Sequence, residues 1–129
     1  MKVLITDKIN EAAGKILEGV AEVEFIPTLP EDELAEKIND YDALMIRSQT
    51  KVTRKILEAG KNLKIVGRAG VGVDNVDIEA ATQNGIIVVN SPDGNTHAAA
   101  EHTLALMLAM SRNIPVAAMS AKEGKWERS

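Results

Sequence analysis

The feature that most constrains the fold is a regular alternation of short apolar runs with helical patterns. Between the runs, apolar residues spaced three and four apart predict four helices, at residues 10–17, 31–38, 53–59 and 78–83. The runs themselves are short and rich in β-branched and aliphatic residues, which is typical of buried strands. Five strands are therefore predicted, at residues 3–5, 23–26, 43–46, 64–66 and 86–89.

This alternation predicts an α/β fold. Short connections from strand to helix to strand favour right-handed crossovers and a parallel sheet with helices on both faces. We predict a flavodoxin-like, doubly wound, five-stranded parallel sheet with strand order 2-1-3-4-5. The first domain is expected to occupy residues 1–95.

The pattern changes at Thr96, where a long helix is predicted over residues 96–110, followed by a second helical segment at 116–123. The long helix is apolar almost all round its circumference, and such a helix requires burial on more than one side. We therefore expect it to pack on a partner, either a further lobe or a second copy of the chain. Residues 96–129 are interpreted as interdomain helices and the start of another lobe.

Composition excludes several classes of function. Fifteen basic and nineteen acidic residues give a net charge of −4, and no basic cluster with aromatic residues predicts a nucleic-acid partner. Cysteine is absent, so neither disulfides nor thiolate metal sites are available. His97 and Glu101, four residues apart, are too few ligands for a metal site.

The amino-terminal apolar run is too short for a signal peptide or a membrane span, so we expect a cytoplasmic protein with no membrane partner.

The candidate site lies at the carboxyl ends of the strands, where doubly wound sheets bind ligands. Arg47 and Ser48 follow the third strand, and Arg68 leads into a glycine-rich turn after the fourth. Because these strands are neighbours in the predicted order, the two arginines should converge. The glycines would let the backbone approach a ligand and direct N–H groups toward an anion. We predict a site for a small, multiply charged acid, with these substrate-binding residues: Arg47, Ser48, Arg68, Gly70, Gly72 and Asn95.

Less specific interpretations of the same residues stay open. The arginines are also explained as exposed surface residues, and the glycines as residues of a simple turn. Asn95 suits the N-cap of the long helix, a role compatible with ligand contact. Asp7, after the first strand, is interpreted as a turn or cap residue and not as a catalytic acid.

The glycine-rich turn is not a dinucleotide fingerprint. Gly70 and Gly72 match its first two glycines, but Asn75 occupies the place of the third. The acidic residue that should follow the next strand is also missing, because Asn90 and Ser91 stand there. We therefore expect no complete NAD site in this chain.

The chain nevertheless resembles the D-isomer-specific 2-hydroxyacid dehydrogenases along its whole length. The motifs that carry the resemblance are RSQTKVT at 47–53, GRAGVGVDNVD at 67–77, NSPDGN at 90–95, SRNIP at 111–115 and GKWER at 124–128. The later motifs are most similar to family members that oxidise 3-phosphoglycerate to 3-phosphohydroxypyruvate with NAD, at the start of serine biosynthesis. The resemblance implies that Arg47, Ser48 and Asn95 lie at the substrate's charged groups and that Arg68 lines the same cleft. It also implies that the amides near Val71 meet the substrate carboxylate beside the nicotinamide, so Val71 is the one cofactor contact expected.

The resemblance also implies what this chain lacks. The family's catalytic histidine, glutamate and arginine match no residue here, and the expected catalytic set is therefore empty. We expect a fragment of a longer enzyme that lacks its nucleotide-binding lobe, is inactive alone and forms a homo-oligomer at full length.

A relative with another substrate, such as a glyoxylate or hydroxypyruvate reductase, is the main alternative. A signalling receiver domain would need an aspartate where Arg47 stands, and a flavin module would need a phosphate loop after the first strand.

Overall fold

The computed structural model describes residues 1–126 and has five strands and six α-helices in that range. The first unit, Met1–Gly94, is an α/β domain, and a second unit begins at Asn95. In the first unit the elements are β1 Lys2–Ile5, α1 Ala12–Leu17, β2 Glu22–Phe25, α2 Glu31–Lys37, a 3-10 turn Ile38–Asp40, β3 Ala43–Ile46, α3 Arg54–Ala59, β4 Ile65–Arg68, α4 Ile78–Gln83 and β5 Ile87–Asn90. The second unit contains α5 Thr96–Ser111 and α6 Ile114–Lys122.

The five strands form one parallel sheet in the order β2-β1-β3-β4-β5. The predicted strand order and parallel direction are therefore confirmed. In register, Ile46 pairs with Arg68, and Arg68 pairs with Asn90. This register aligns the carboxyl ends of β3, β4 and β5 along one edge, so the loops that follow them leave the sheet side by side.

One face of the sheet carries the main core. Leu4, Leu44 and Val66, which alternate with residues of the opposite face, are at most 1% exposed. They pack in one cluster with side chains of α2, α3 and α4, including Leu34 and Ile56. Full burial of each such side chain contributes about 1.5–3 kcal/mol to the stability of the fold. This packing fixes the positions of the strands, and with them the sheet edge from which the loops leave.

The opposite face is covered at its β2 end. There α1 approaches so closely that a Cβ on Gly14 would lie 2.7 Å from the Phe25 ring, which explains a glycine inside a helix. At the other end of this face Ile87 is 60% exposed and Val89 is 49% exposed. We expected helices to cover both faces of the sheet. In the first unit they cover one face fully and the other face only at its β2 end.

Helix ends follow local capping chemistry in part. The Asp77 carboxylate caps α4 by accepting the Ala80 N–H at 2.8 Å, and Gly85, just past its end, has a φ of 69°. Thr53 occupies the N-cap position of α3, but its hydroxyl donates to Glu31 and makes no capping bond.

The second unit consists of two apolar helices with no buried residue. Asn95 is the N-cap residue of α5, although its side chain makes no capping hydrogen bond. Leu106, Leu108 and Met110 are 51–76% exposed. No single helix among residues 1–126 is long and apolar enough to cross a membrane. Only α5 and α6 taken together have that length and apolar composition, and they are bent by 67° at the break between them. Glu127 and Arg128, the end of the last motif, lie outside the described residues.

Candidate functional site

The structure brings most of the predicted site residues to one sheet edge. Arg47 and Ser48 lie in the loop after β3, residues 47–50, which we name the arginine loop. Residues 69–76 after β4 form the neighbouring glycine loop. The Ala69 N–H donates to the Ile46 carbonyl oxygen at 2.8 Å, so the two loops begin side by side. Both arginines and the glycines thus belong to one continuous surface of the first unit.

The buried carboxylate of Asp7 binds the backbone N–H groups of the arginine loop. Its carboxylate is 8% exposed and lies at the end of β1, next to β3. The oxygen Oδ2 accepts the N–H groups of Arg47 at 2.8 Å and Gln49 at 3.1 Å. The Thr50 N–H donates to both carboxylate oxygens, at 3.0 and 3.1 Å. Three of the loop's four amides are therefore fixed by one buried side chain.

Hydroxyl groups complete the environment of Asp7. Thr28 donates to Oδ1 at 2.7 Å, and the Thr50 hydroxyl donates to the same oxygen. Burial acts to raise the pKa of Asp7, but the hydrogen bonds from Thr50, Thr28 and the Arg47 amide outweigh it and hold this pKa below its ordinary value. The carboxylate is therefore ionised at neutral pH and serves as an acceptor for every donor around it.

The carbonyl groups of the arginine loop are held by Asn75. Its side-chain amide donates to the carbonyl oxygens of Arg47 at 2.9 Å and Thr50 at 2.7 Å. Asn75 occupies the place where a dinucleotide fingerprint would have its third glycine, and here it links the glycine loop to the arginine loop. Asp7 and Asn75 together bind three of the four N–H groups and two of the four carbonyl oxygens of the arginine loop.

Arg68 turns into the protein and not toward solvent. Its side chain is 12% exposed, and its Nε donates to the Arg47 carbonyl oxygen at 3.2 Å. Its Nη1 donates to the Gly72 carbonyl oxygen, and Nη2 lies 3.7 Å from the carboxylate of Asp74. The guanidinium therefore ties the two loops together. The contact of Arg68 with substrate stays a prediction. It would be made by the guanidinium N–H groups that do not take part in these internal bonds.

The glycines fit around this guanidinium. A Cβ on Gly70 would lie 2.7 Å from Arg68 Nη1, and one on Gly72 would lie 2.7 Å from an Asp74 carboxylate oxygen. A Cβ on Gly67 would meet Val89 at an ordinary 3.7 Å. At Gly70 and Gly72 the absence of a side chain is thus explained by the close approach of Arg68 and Asp74, without a ligand. At Gly67 a side chain would have room.

The polarity of the glycine loop suits an anion. The Gly70 carbonyl accepts the Ser91 N–H at 3.0 Å, and the Val71 carbonyl accepts the Asn90 side-chain amide at 2.6 Å. With the Gly72 carbonyl bound to Arg68, three successive carbonyl oxygens are occupied. The N–H groups of Val71 and Gly72 form no hydrogen bond within residues 1–126. A turn with its acceptors engaged and its donors free favours a negatively charged ligand.

The exposed groups of the arginine loop have the same character. Arg47 and Ser48 are exposed, and neither side chain has a hydrogen-bond partner in the described part of the chain. The Ser48 N–H, between the fixed amides of Arg47 and Gln49, is likewise unbonded there. A guanidinium, a hydroxyl and several N–H donors are thus presented along one edge, where the one exposed carboxylate of the two loops belongs to Asp74 and lies near Arg68.

The remaining predicted residues lie elsewhere. Asn95 belongs to the second unit, and its role at the substrate stays a prediction. His97, Glu101 and His102 are exposed residues of α5, and no cluster of three metal ligands occurs in the part of the chain that the structure describes.

Sequence reasoning missed Asp7 and Asn75 as parts of this site. The available signal for Asp7 was its position after a strand that neighbours β3 in the predicted order. For Asn75, a polar residue at the end of a glycine-rich turn gave no indication of the carbonyls it meets.

Comparison with known proteins matches the chain to one family. Residues 3–125 fit the family described as D-isomer specific 2-hydroxyacid dehydrogenase, catalytic domain. The chain is 58% identical over 127 residues to the D-3-phosphoglycerate dehydrogenase of Synechocystis, covering 98% of this chain and 23% of that protein. It is 56% identical to the enzyme of the same name from Methanocaldococcus jannaschii, covering 99% of this chain and 24% of the relative. The chain therefore spans about a quarter of the length of these relatives.

Solved structures give the same result. A protein from Pyrococcus horikoshii superposes with a TM-score of 0.84 at 33% identity, covering 98% of this chain and 38% of that one. The NAD⁺-bound 3-phosphoglycerate dehydrogenase of Entamoeba histolytica superposes with a TM-score of 0.71 at 33% identity, covering 84% of this chain and 38% of that one.

Proposed function

Since the chain belongs to the D-isomer specific 2-hydroxyacid dehydrogenase family, we propose that it is the substrate-binding part of an NAD-dependent enzyme that oxidises 3-phosphoglycerate. Residues 1–95 would form the substrate-binding lobe, and residues 96–129 the interdomain helices and the start of a nucleotide-binding lobe. The product, 3-phosphohydroxypyruvate, would enter serine biosynthesis in the cytoplasm, and the full-length enzyme would be a homo-oligomer.

The observation that carries the proposal is the line of free donors at the sheet edge. Arg47, Ser48 and the N–H groups of Val71 and Gly72 lie on two neighbouring loops. The carbonyl oxygens beside them, of Arg47, Thr50, Gly70, Val71 and Gly72, are engaged within the protein. A substrate with a carboxylate at one end and a phosphate at the other would find donors along this edge. A planar guanidinium donates in pairs to either group and stays charged at any working pH.

The residues present do not fit the dinucleotide. The glycine loop does not lead directly into a helix, since α4 begins only at Ile78, and its free N–H groups lie at the proposed acid site. Val71, 39% exposed, is the single cofactor contact we propose in this chain. The chain's residues would bind and orient the acid, and the second lobe would supply the dinucleotide site and the proton acceptor.

Substrate preference in the full-length protein tests the proposal. We expect kcat/KM for 3-phosphoglycerate to exceed that for D-lactate and glycolate by about ten- to a hundredfold, because one charge-assisted contact contributes about 1.5–3 kcal/mol. NADH absorbance measures all three. Equal or better use of glycolate or D-lactate would overturn the substrate assignment in favour of another activity of the family.

A further inference from the structure

We propose that Asp7 is a positioning residue for the substrate: its buried carboxylate holds the arginine loop in the conformation that presents Arg47 and Ser48 to the acid. The inference rests on the proposed function of that loop as the acid-binding element. Asp7 itself, 8% exposed beneath the loop, would not touch the substrate.

The backbone at Asp7 supports a specific role. The φ of Asp7 is 64°, which lies in the left-handed region that residues other than glycine rarely adopt. Of the described residues other than glycine, only Asp7 and Asn113 have a positive φ. Such a conformation persists where the surroundings impose it, and here it directs the carboxylate at the loop amides and away from solvent.

The hydrogen bonds around Asp7 require a group that only accepts. The Thr50 hydroxyl has one proton and donates it to Asp7, so the Thr6 hydroxyl, 2.9 Å away, must donate to Thr50. Oδ1 then receives two hydroxyl protons, from Thr50 and Thr28, and Oδ2 receives the amide protons of Arg47 and Gln49. An ionised carboxylate accepts all of these protons at once. Only the two hydroxyls have another oxygen within reach, the Gln49 side-chain oxygen for Thr28 and the Thr6 hydroxyl for Thr50.

Asparagine at position 7 would break this arrangement with little change of shape. Turned toward the backbone, its NH₂ group would face the N–H groups of Arg47 and Gln49, which can only donate. Turned toward the hydroxyls, it would force Thr28 and Thr50 to donate elsewhere. Asparagine also tolerates the left-handed backbone, so the substitution adds no backbone strain. Asp7→Asn therefore tests the charge pattern and not the local fold.

The alternative is that Asp7 only stabilises the domain. A matched control separates the two readings: Ile38 is fully buried in the 3-10 turn before β3, at the opposite end of the sheet. Ile38→Ala removes core volume and lowers stability without touching either loop. A residue that merely stabilises the fold would give the same kinetic effect as this control.

The experiment measures kinetics and amide exchange in the full-length protein. For Asp7→Asn we expect KM for 3-phosphoglycerate to rise about ten- to thirtyfold, with kcat changed less than about threefold and KM for NAD unchanged. Hydrogen exchange should accelerate at the amides of Arg47, Gln49 and Thr50 while the β1 and β3 amides keep their protection. Ile38→Ala should lower the melting temperature and leave both KM values at wild type.

Each other result overturns the inference. An unchanged KM with faster exchange would show that loop order does not serve the acid. Unchanged exchange would show that the carboxylate does not hold the loop, and equal KM changes in both variants would assign Asp7 to stability alone. If the wild type oxidises no 3-phosphoglycerate, the proposed function has failed instead, and the exchange data still decide whether Asp7 orders the loop.

Discussion

Arg68→Ala should lower the stability of the first unit much more than Arg47→Ala does, although the two arginines stand at neighbouring strand ends. The Arg68 guanidinium is 12% exposed and donates to the carbonyl oxygens of Arg47 and Gly72. The Arg47 side chain is exposed and has no hydrogen-bond partner within residues 1–126. The same truncation thus removes two internal bonds in one variant and none in the other.

The magnitude follows from those two bonds. A hydrogen bond to a charged group contributes about 1.5–3 kcal/mol, and water can reach both carbonyls once the side chain is removed. The Asp74 carboxylate is 84% exposed, so its ion pair with Arg68 adds little. We expect a loss of about 2–3 kcal/mol in the free energy of unfolding for Arg68→Ala, and a change within about 0.5 kcal/mol for Arg47→Ala.

Urea unfolding of the 129-residue chain measures the difference. Far-ultraviolet circular dichroism follows the helices. In a Trp126→Phe background the near-ultraviolet signal reports the first unit, because Tyr41, 6% exposed, is the one tyrosine in the sequence. With a slope of about 1–3 kcal/mol/M, the midpoint for Arg68→Ala should fall by about 0.7–3 M. Arg68→Lys should recover less than half of the loss, because a single ammonium cannot donate in the same fork geometry. Equal midpoints for Arg68→Ala and Arg47→Ala would refute the assignment of Arg68 as a link between the loops.

Two further predictions concern the chain by itself. It should neither bind NAD measurably nor reduce it with 3-phosphoglycerate, because within residues 1–126 we propose one cofactor contact and neither loop of the acid site carries a histidine; saturable heat in a calorimetric titration with NAD would contradict this. Because Leu106, Leu108 and Met110 are 51–76% exposed on α5, the chain should self-associate, and light scattering that gives a monomer mass at all concentrations would argue against an unpartnered helix.

The fold could be predicted from the sequence because burial leaves a periodic trace. The strand at 43–46 and the helix at 78–83 have the predicted bounds, and the other elements differ from prediction by one or two residues at one or both ends. Strand order followed from short right-handed connections. The open face at Ile87 and Val89 was not foreseen, since an apolar strand has the same sequence pattern whether or not a helix covers both of its sides.

The site could be predicted only as far as chain position determines it. Arg47 and Arg68 both follow strands, and the sequence placed both at the sheet edge. Their side chains then diverge: the space left by Gly70 and Gly72 lets Arg68 fold inward, whereas Arg47 is exposed. Asp7 was interpreted as a turn residue because its donors come from segments 21 to 43 residues away in sequence, which a local pattern cannot reveal.

The most direct test of the account is the effect of Arg47→Ala on 3-phosphoglycerate oxidation by the full-length protein. Lys61→Ala is the matched control, since Lys61 is an exposed cation in the turn before β4, at the opposite edge of the sheet. The account predicts that Arg47→Ala lowers kcat/KM for 3-phosphoglycerate by about one to two decades, with KM for NAD unchanged and Lys61→Ala at the wild-type value. Wild-type kinetics for Arg47→Ala would show that the acid does not bind at this edge.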